Sequence, residues 1–294
     1  MPTDHGLGYL PDVRRAEDYT ERHAAVAPLL EATPLNKRVL SPPRAALAVG
    51  LPAQVDLRPW FSPVETQGAL NACSAHVAVS LLEYFEKRAL GRHIDASRLF
   101  IYKAGRTLLG WTGDRGLFLR TAMQALVLFG APPEQYWPYD GRSAASNPRY
   151  DLEPTPFVYA LGSGYRAVKY FRLDSPGYTQ QTLDAVRSYA AAGFPSILGL
   201  PIYSEFDAPL PGGLIGYPGL GSRYRGAHAG VVAGYDDTLM IGADKGALLV
   251  RNSWGPAWGV GGYGWLSYKY VLNGITLDHW TMVSAAWVDT GAFE

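Results

Sequence analysis

The 294-residue chain has a single cysteine, Cys73. It can close no intramolecular disulfide and offers no thiolate cluster for zinc, a scarcity that fits a reducing compartment. It also lacks charge of one sign: 26 Lys and Arg stand against 26 Asp and Glu, with no long run of either. That excludes the basic surface that nucleic acids and anionic membranes require. No apolar run reaches the ~20 residues of a membrane span. Met1-Pro2-Thr3-Asp4-His5 has no basic segment leading into an apolar one, so no secretory leader is expected. A cytoplasmic protein is therefore expected, with leaderless export left open. Internal repeats and low-complexity segments are missing too.

What is present suffices for a large core, since 48% of residues are hydrophobic. Residues 1–50 read as a separate N-terminal arm, polar and then Ala-rich, marked by Pro34, Pro42 and Pro43, with a short helix expected at 17–30. Helices are also expected at 73–90, capped by Gly91, at 97–105, and at 117–129, stopped by Gly130 and Pro132. Past about residue 160, β-branched and aromatic runs predict strands near 165–170, 196–201, 229–235, 247–252, 264–268 and 281–288, with one helix at 182–192. A helical stretch (about 51–160) followed by a strand-rich one (about 161–294) implies an α+β fold of two lobes with a cleft between them.

Few residues carry chemistry. Cys73 stands where the loop Gln67-Gly68-Ala69-Leu70-Asn71 runs into the first turn of a predicted helix. The unpaired N–H groups there favour a thiolate, although the position equally suits a buried apolar residue. His228 opens the apolar run that continues to Tyr235-Asp236-Asp237, either as a base or as a satisfied core residue. Asn252-Ser253-Trp254, inside a Gly-rich turn, is a rarer combination. His76 lies one helical turn from Cys73, but no second Cys and no His cluster completes a metal site, so His76 is expected to pack within its helix.

Together these segments resemble the papain family of cysteine peptidases, in its bacterial, disulfide-free branch. Leu51-Pro52-Ala53-Gln54-Val55-Asp56-Leu57-Arg58 is similar to the start of the mature enzymes, and Ser62-Pro63-Val64-Glu65-Thr66-Gln67-Gly68 to the lead-in to the oxyanion glutamine. Gly130, Pro133-Glu134 and Trp137-Pro138-Tyr139 look like the segment after the third helix. The resemblance implies a papain-like fold with a helical N-terminal lobe and an antiparallel sheet or barrel as the C-terminal lobe. It implies a cysteine endopeptidase acting on protein or peptide substrates, most simply as a monomer, with no cofactor and no metal. It assigns Cys73 as nucleophile, His228 as base, Asn252 as the group that orients the imidazole, Trp254 as its cover, and Gln67 as oxyanion donor beside the Cys73 backbone N–H. By the same likeness Gly116, Leu117, Phe118 and Leu119 on one lobe and Gly199, Ala227 and Ala229 on the other wall the substrate pocket. Their small, apolar character implies a hydrophobic residue two before the scissile bond.

The chain departs from the family pattern in places. His228 and Asn252 lie 155 and 179 residues after Cys73, beyond the usual ~130–150, an excess assigned to loops at 209–226 and 237–246. Ser74 replaces a tryptophan, Asn71-Ala72 a Gly-Ser, and Leu70 a disulfide cysteine. The arm is shorter than a usual inhibitory propeptide. It either covers the cleft as a pro-segment or straps the far surface, with Gly8-Tyr9-Leu10-Pro11-Asp12 as an anchor. Two other functions share these residues: acyl transfer or deamidation by the same Cys-His pair, and a weak or inactive peptide-binding protein.

Overall fold

The computed structural model describes residues 5–31, 33, 50–164, 169–175, 177 and 179–293. The Pro-rich part of the expected arm, 34–49, and the start of the strand expected at 165–170 lie outside the described residues. The arm contributes β1 (Tyr9–Leu10) and α1 (Ala27–Glu31). Most of the helix expected at 17–30 is replaced by turns. The cause is tertiary: Thr20 bridges to Arg172, and the Tyr19 carbonyl accepts the Arg172 N–H at 2.8 Å, so the backbone pairs with a strand instead of with itself.

After β2 (Gln54–Asp56), the helical lobe contains α2 (Cys73–Leu90), α3 (Arg98–Leu108), β3 (Leu117–Phe118), α4 (Leu119–Phe129) and α5 (Pro156–Gly162). Val77, Leu81, Leu82, Tyr84 and Phe85 of α2 are buried, and α2 packs on both α3 and α4. Gly91 closes the helix at φ 70°, a left-handed turn that lets its N–H reach the Lys87 carbonyl. Ser97 caps α3 by accepting the Phe100 N–H.

The second lobe runs β4 (Lys169–Arg172), α6 (Thr179–Ala191), β5 (Ser196–Tyr203), α7 (Ser204–Asp207), β6 (Leu214–Ile215), β7 (Tyr224–Ile241), β8 (Asp244–Arg251), β9 (Tyr263–Ser267), α8 (Lys269–Leu272), β10 (Leu277–Val283) and α9 (Ala285–Val288). Its sheet has the order β4-β10-β5-β7-β8-β9-β6, with β2 beside β7, and is antiparallel except between β6 and β9. The last strand ends at Val283 and not at 288. Beyond it the chain turns into α9, where Trp287 stacks on Phe85 of α2 at 5.0 Å.

Side chains from both lobes lock the lead-in to α2. Arg251, buried at the end of β8, donates to the carbonyls of Ser62 and Pro63, each at 2.7 Å, and faces the Phe61 ring. Arg98 of α3, with 5% of its side chain exposed, pairs with Glu134, Glu65 and Glu83. The α+β architecture is thus two lobes meeting along α2, which also packs on β7.

Candidate active site

Cys73 is the first residue of α2, fully buried. Its backbone N–H lies in the first turn, where no helical carbonyl can accept it. The sulfur accepts the backbone N–H groups of Gly8 and Ala229, which places it against β7 one residue past His228. Burial nevertheless pushes the thiol up to about 11.

His228 is equally buried, and its Nε2 lies 2.8 Å from Asn252 Oδ1. That oxygen also accepts the Ser253 backbone N–H at 2.7 Å, which fixes which end of the amide faces the ring. Nε2 must therefore carry the proton, leaving the neutral imidazole with a lone pair on Nδ1, an atom buried without a partner. Burial pulls His228 down to about 4, against a smaller upward pull from Asn252. Trp254 packs on the ring at 4.9 Å, tilted by 39°, and His5 stacks on the same indole at 4.7 Å. Phe206, at 5.4 Å from Trp254 and 6.0 Å from His228, completes a dry wall.

Gln67 joins this group through the turn it shares with 252–254. Its N–H donates to Ser253 O at 2.8 Å, and its Oε1 accepts the Ser253 hydroxyl at 2.6 Å. Its Nε2 is aimed away from Ser253 and donates to Leu70 O at 2.8 Å and to Gly6 O at 3.0 Å. Gln67, Cys73, His228, Asn252 and Trp254 are thus brought to one region from three separate stretches of sequence.

The arm runs straight through this site. Gly6 N–H donates to Gly68 O, Leu7 N–H to Asn71 Oδ1, and the Leu117 N–H to Gly8 O. The arm is seated in the cleft, away from the far surface. Its fit is tight: a Cβ on Gly6 would stand 2.1 Å from Leu70 O, and one on Gly8 1.9 Å from Asn71 O. Two departures in sequence acquire reasons here. Asn71 is the arm's acceptor, held in turn by Asp114, and Ser74 donates to Leu117 O at 2.7 Å, pinning β3 beside Cys73.

The expected pocket residues divide. Gly116, Leu117 and Gly199 face the arm, and Leu7 packs at Gly226, next to Ala227. Ala229 pairs with Gly199 across β5 and β7. Phe118 pairs with Leu10 and leans on Trp111, whereas Leu119 is buried at the start of α4 and belongs to the helix core. His76 is buried edge-on to Tyr139, and no group of side chains among the described residues could hold a metal ion. Beyond Trp254 lies an open cavity of ≈ 860 Å³ bounded by His5, Trp258, Leu210 and Arg225. Sequence reasoning missed His5 and Phe206, which sit in no recognisable local pattern, and gave no role to Ser253 inside the Asn252-Ser253-Trp254 segment.

A two-lobed α+β fold with a buried thiol at a helix N-terminus, beside an imidazole anchored by an amide, is the frame of a cysteine peptidase. The chain belongs to the papain family: the model of papain family cysteine proteases matches residues 51–280. It is 27% identical over 224 residues, 73% of its length and 67% of the relative's, to an uncharacterized peptidase C1-like protein of Acanthamoeba polyphaga mimivirus. Among solved structures it is similar to xylellain, a cysteine protease from Xylella fastidiosa, at 25% identity and TM-score 0.76, covering 97% of this chain and 98% of that one. Digestive procathepsin L 3 of Tenebrio molitor shares the fold at 20% identity and TM-score 0.62, over 95% and 84% of the two chains.

Proposed function

We propose that the protein is a cysteine endopeptidase whose reaction centre is Cys73, His228, Asn252 and Gln67, held at rest by its own arm. The observation that carries this reading is the imidazole tautomer: Asn252 Oδ1 accepts from the protonated Nε2 and leaves Nδ1 buried with its lone pair unclaimed. In the reaction the Cys73 proton passes to Nδ1, and the thiolate attacks the substrate carbonyl. The oxyanion takes hydrogen bonds from the Cys73 N–H and Gln67 Nε2, and His228 returns the proton to the leaving amine. Water then hydrolyses the thioester.

Seated, the arm presents the Gly8 N–H to the sulfur and the Gly6 carbonyl, two residues away, to Gln67 Nε2. It therefore occupies the oxyanion donor and the nucleophile with different peptide units.

The test is titration of the full chain with the peptidyl epoxide E-64 and mass spectrometry. Stoichiometric modification of Cys73, abolished in His228→Ala and retained in His76→Ala, supports the reading. A folded protein that resists the epoxide in every form, including one with the arm unseated by Gly8→Val, overturns it.

A further inference from the structure

Tyr9 of the arm fills a slot between the lobes. It is 3% exposed, pairs in register with Leu117, and lays its ring so closely on the backbone of Gly199 that a Cβ there would come within 2.0 Å of Cζ. At the far end its hydroxyl donates to Asp278 Oδ2 at 2.6 Å. Asp278 is 1% exposed and is the one non-glycine residue with positive φ, 54°, among the described residues. It lies where the pairing of β10 with β5 shifts register between Leu277 and Trp280. The bulge re-aims a side chain that a regular strand would place elsewhere, and strain of this kind persists where the surroundings demand it.

We propose that this slot is the pocket that selects substrate, that Asp278 makes it select a tyrosine side chain two residues before the scissile bond, and that Tyr9 is the arm's stand-in for that side chain. This rests on the peptidase reading above. The walls, Gly199 and Leu117, admit a flat ring and offer it no polar atom of their own. The floor is a carboxylate with two different oxygens. Oδ1 is taken by Arg172 at 2.7 Å, and Arg172 is itself shared with Asp174 and Asp18. Among the described residues Oδ2 accepts from the arm alone, from Tyr9 Oη and from the Asp12 N–H at 3.0 Å. When the arm leaves, Oδ2 loses both donors at once.

A tyrosine restores a charge-assisted hydrogen bond there. A phenylalanine fills the same volume and leaves a buried acceptor unpaired, a difference that discriminates strongly in sites built around a substrate hydroxyl. A lysine or arginine would bring a second cation against Arg172, whose guanidinium already neutralises the floor, and would lose its hydration to do so. The preference for a plain hydrophobic residue, implied by the apolar walls, is thereby narrowed by a floor that lies 269 residues from Tyr9 in sequence.

The experiment uses full-length Tyr9→Ala, which empties the slot, and Gly8→Val, which unseats the arm. Active sites are counted with E-64. Turnover is compared for fluorogenic dipeptidyl amides that differ only in Tyr, Phe, Arg or Val at the selected position. The expected kcat/KM is about 10- to 100-fold higher for Tyr than for Phe, with Arg below Phe, and Asp278→Leu in the same background brings Tyr and Phe to parity. Should that variant fail to fold, Gly199→Val keeps the floor and closes the wall: both aromatic substrates then fall below the Val substrate. Stoichiometric epoxide labelling with Tyr and Phe turned over within twofold of each other, or with Arg preferred, overturns the pocket assignment and leaves the peptidase standing. Neither labelling nor turnover in any variant overturns both.

Discussion

At neutral pH the two side chains proposed to react, Cys73 and His228, rest uncharged, because burial disfavours thiolate and imidazolium alike. With the thiol near 11 and His228 near 4, the proton lies on sulfur. Alkylation of Cys73 by iodoacetamide in the full chain is therefore expected to be slow at pH 7 and to rise continuously into alkaline pH. A rate already at its plateau by pH 7 would show an ion pair in the resting enzyme. His228 and His279 are both pulled from the ordinary 6.5 to about 4 by burial. Between those values the unfolded chain binds protons that the folded chain refuses. Stability is thus complete above about pH 6.5 and falls as the pH drops toward 4, by up to about 3 kcal/mol for each histidine. Urea midpoints measured from pH 7.5 down to 4 read this directly, and a flat profile would mean that the rings are hydrated.

Among elements, α2 and the arm differ in where their instructions lie. The helix begins at Cys73 and ends at Leu90, as expected from its apolar period and Gly91, because both signals act within a turn or two of backbone. The arm's path is written in contacts. Gly6 and Gly8 look like ordinary loop glycines in sequence, and only the carbonyls of Leu70 and Asn71 pressed against them reveal why a side chain is excluded. Gly8→Val is expected to lift the arm from the sulfur and to raise the rate of Cys73 modification at pH 7 at least tenfold, since a Cβ cannot share the space of a backbone oxygen. An unchanged rate, with the arm's protection against amide hydrogen exchange retained, would refute the contact. The strand expected to run to 288 shows the same division: its apolar residues continue past Val283, but Trp287 finds a better partner in Phe85 than in the sheet.

Across the whole molecule the site depends on two lobes held in register, and Arg251 is the clearest fastening. Replacing it by Met keeps much of the volume and leaves the Ser62 and Pro63 carbonyls without their donors. A loss of about 3 kcal/mol in unfolding free energy is expected, with slower epoxide labelling because the Gln67 segment follows Pro63; a stable variant with unaltered labelling would refute the fastening. The sequence by itself determined the α+β class, the helix that begins with the cysteine, and the motif segments around Gln67, His228 and Asn252, because periodicity, caps and short motifs are local. Only the tertiary structure decided that His5 stacks on Trp254, that Gly8 covers the sulfur, and that Asp278 forms the floor under Tyr9. Those groups meet through chain closure over as many as 269 residues and through one bulge in β10, and neither the closure nor the bulge leaves a mark in any short stretch of sequence.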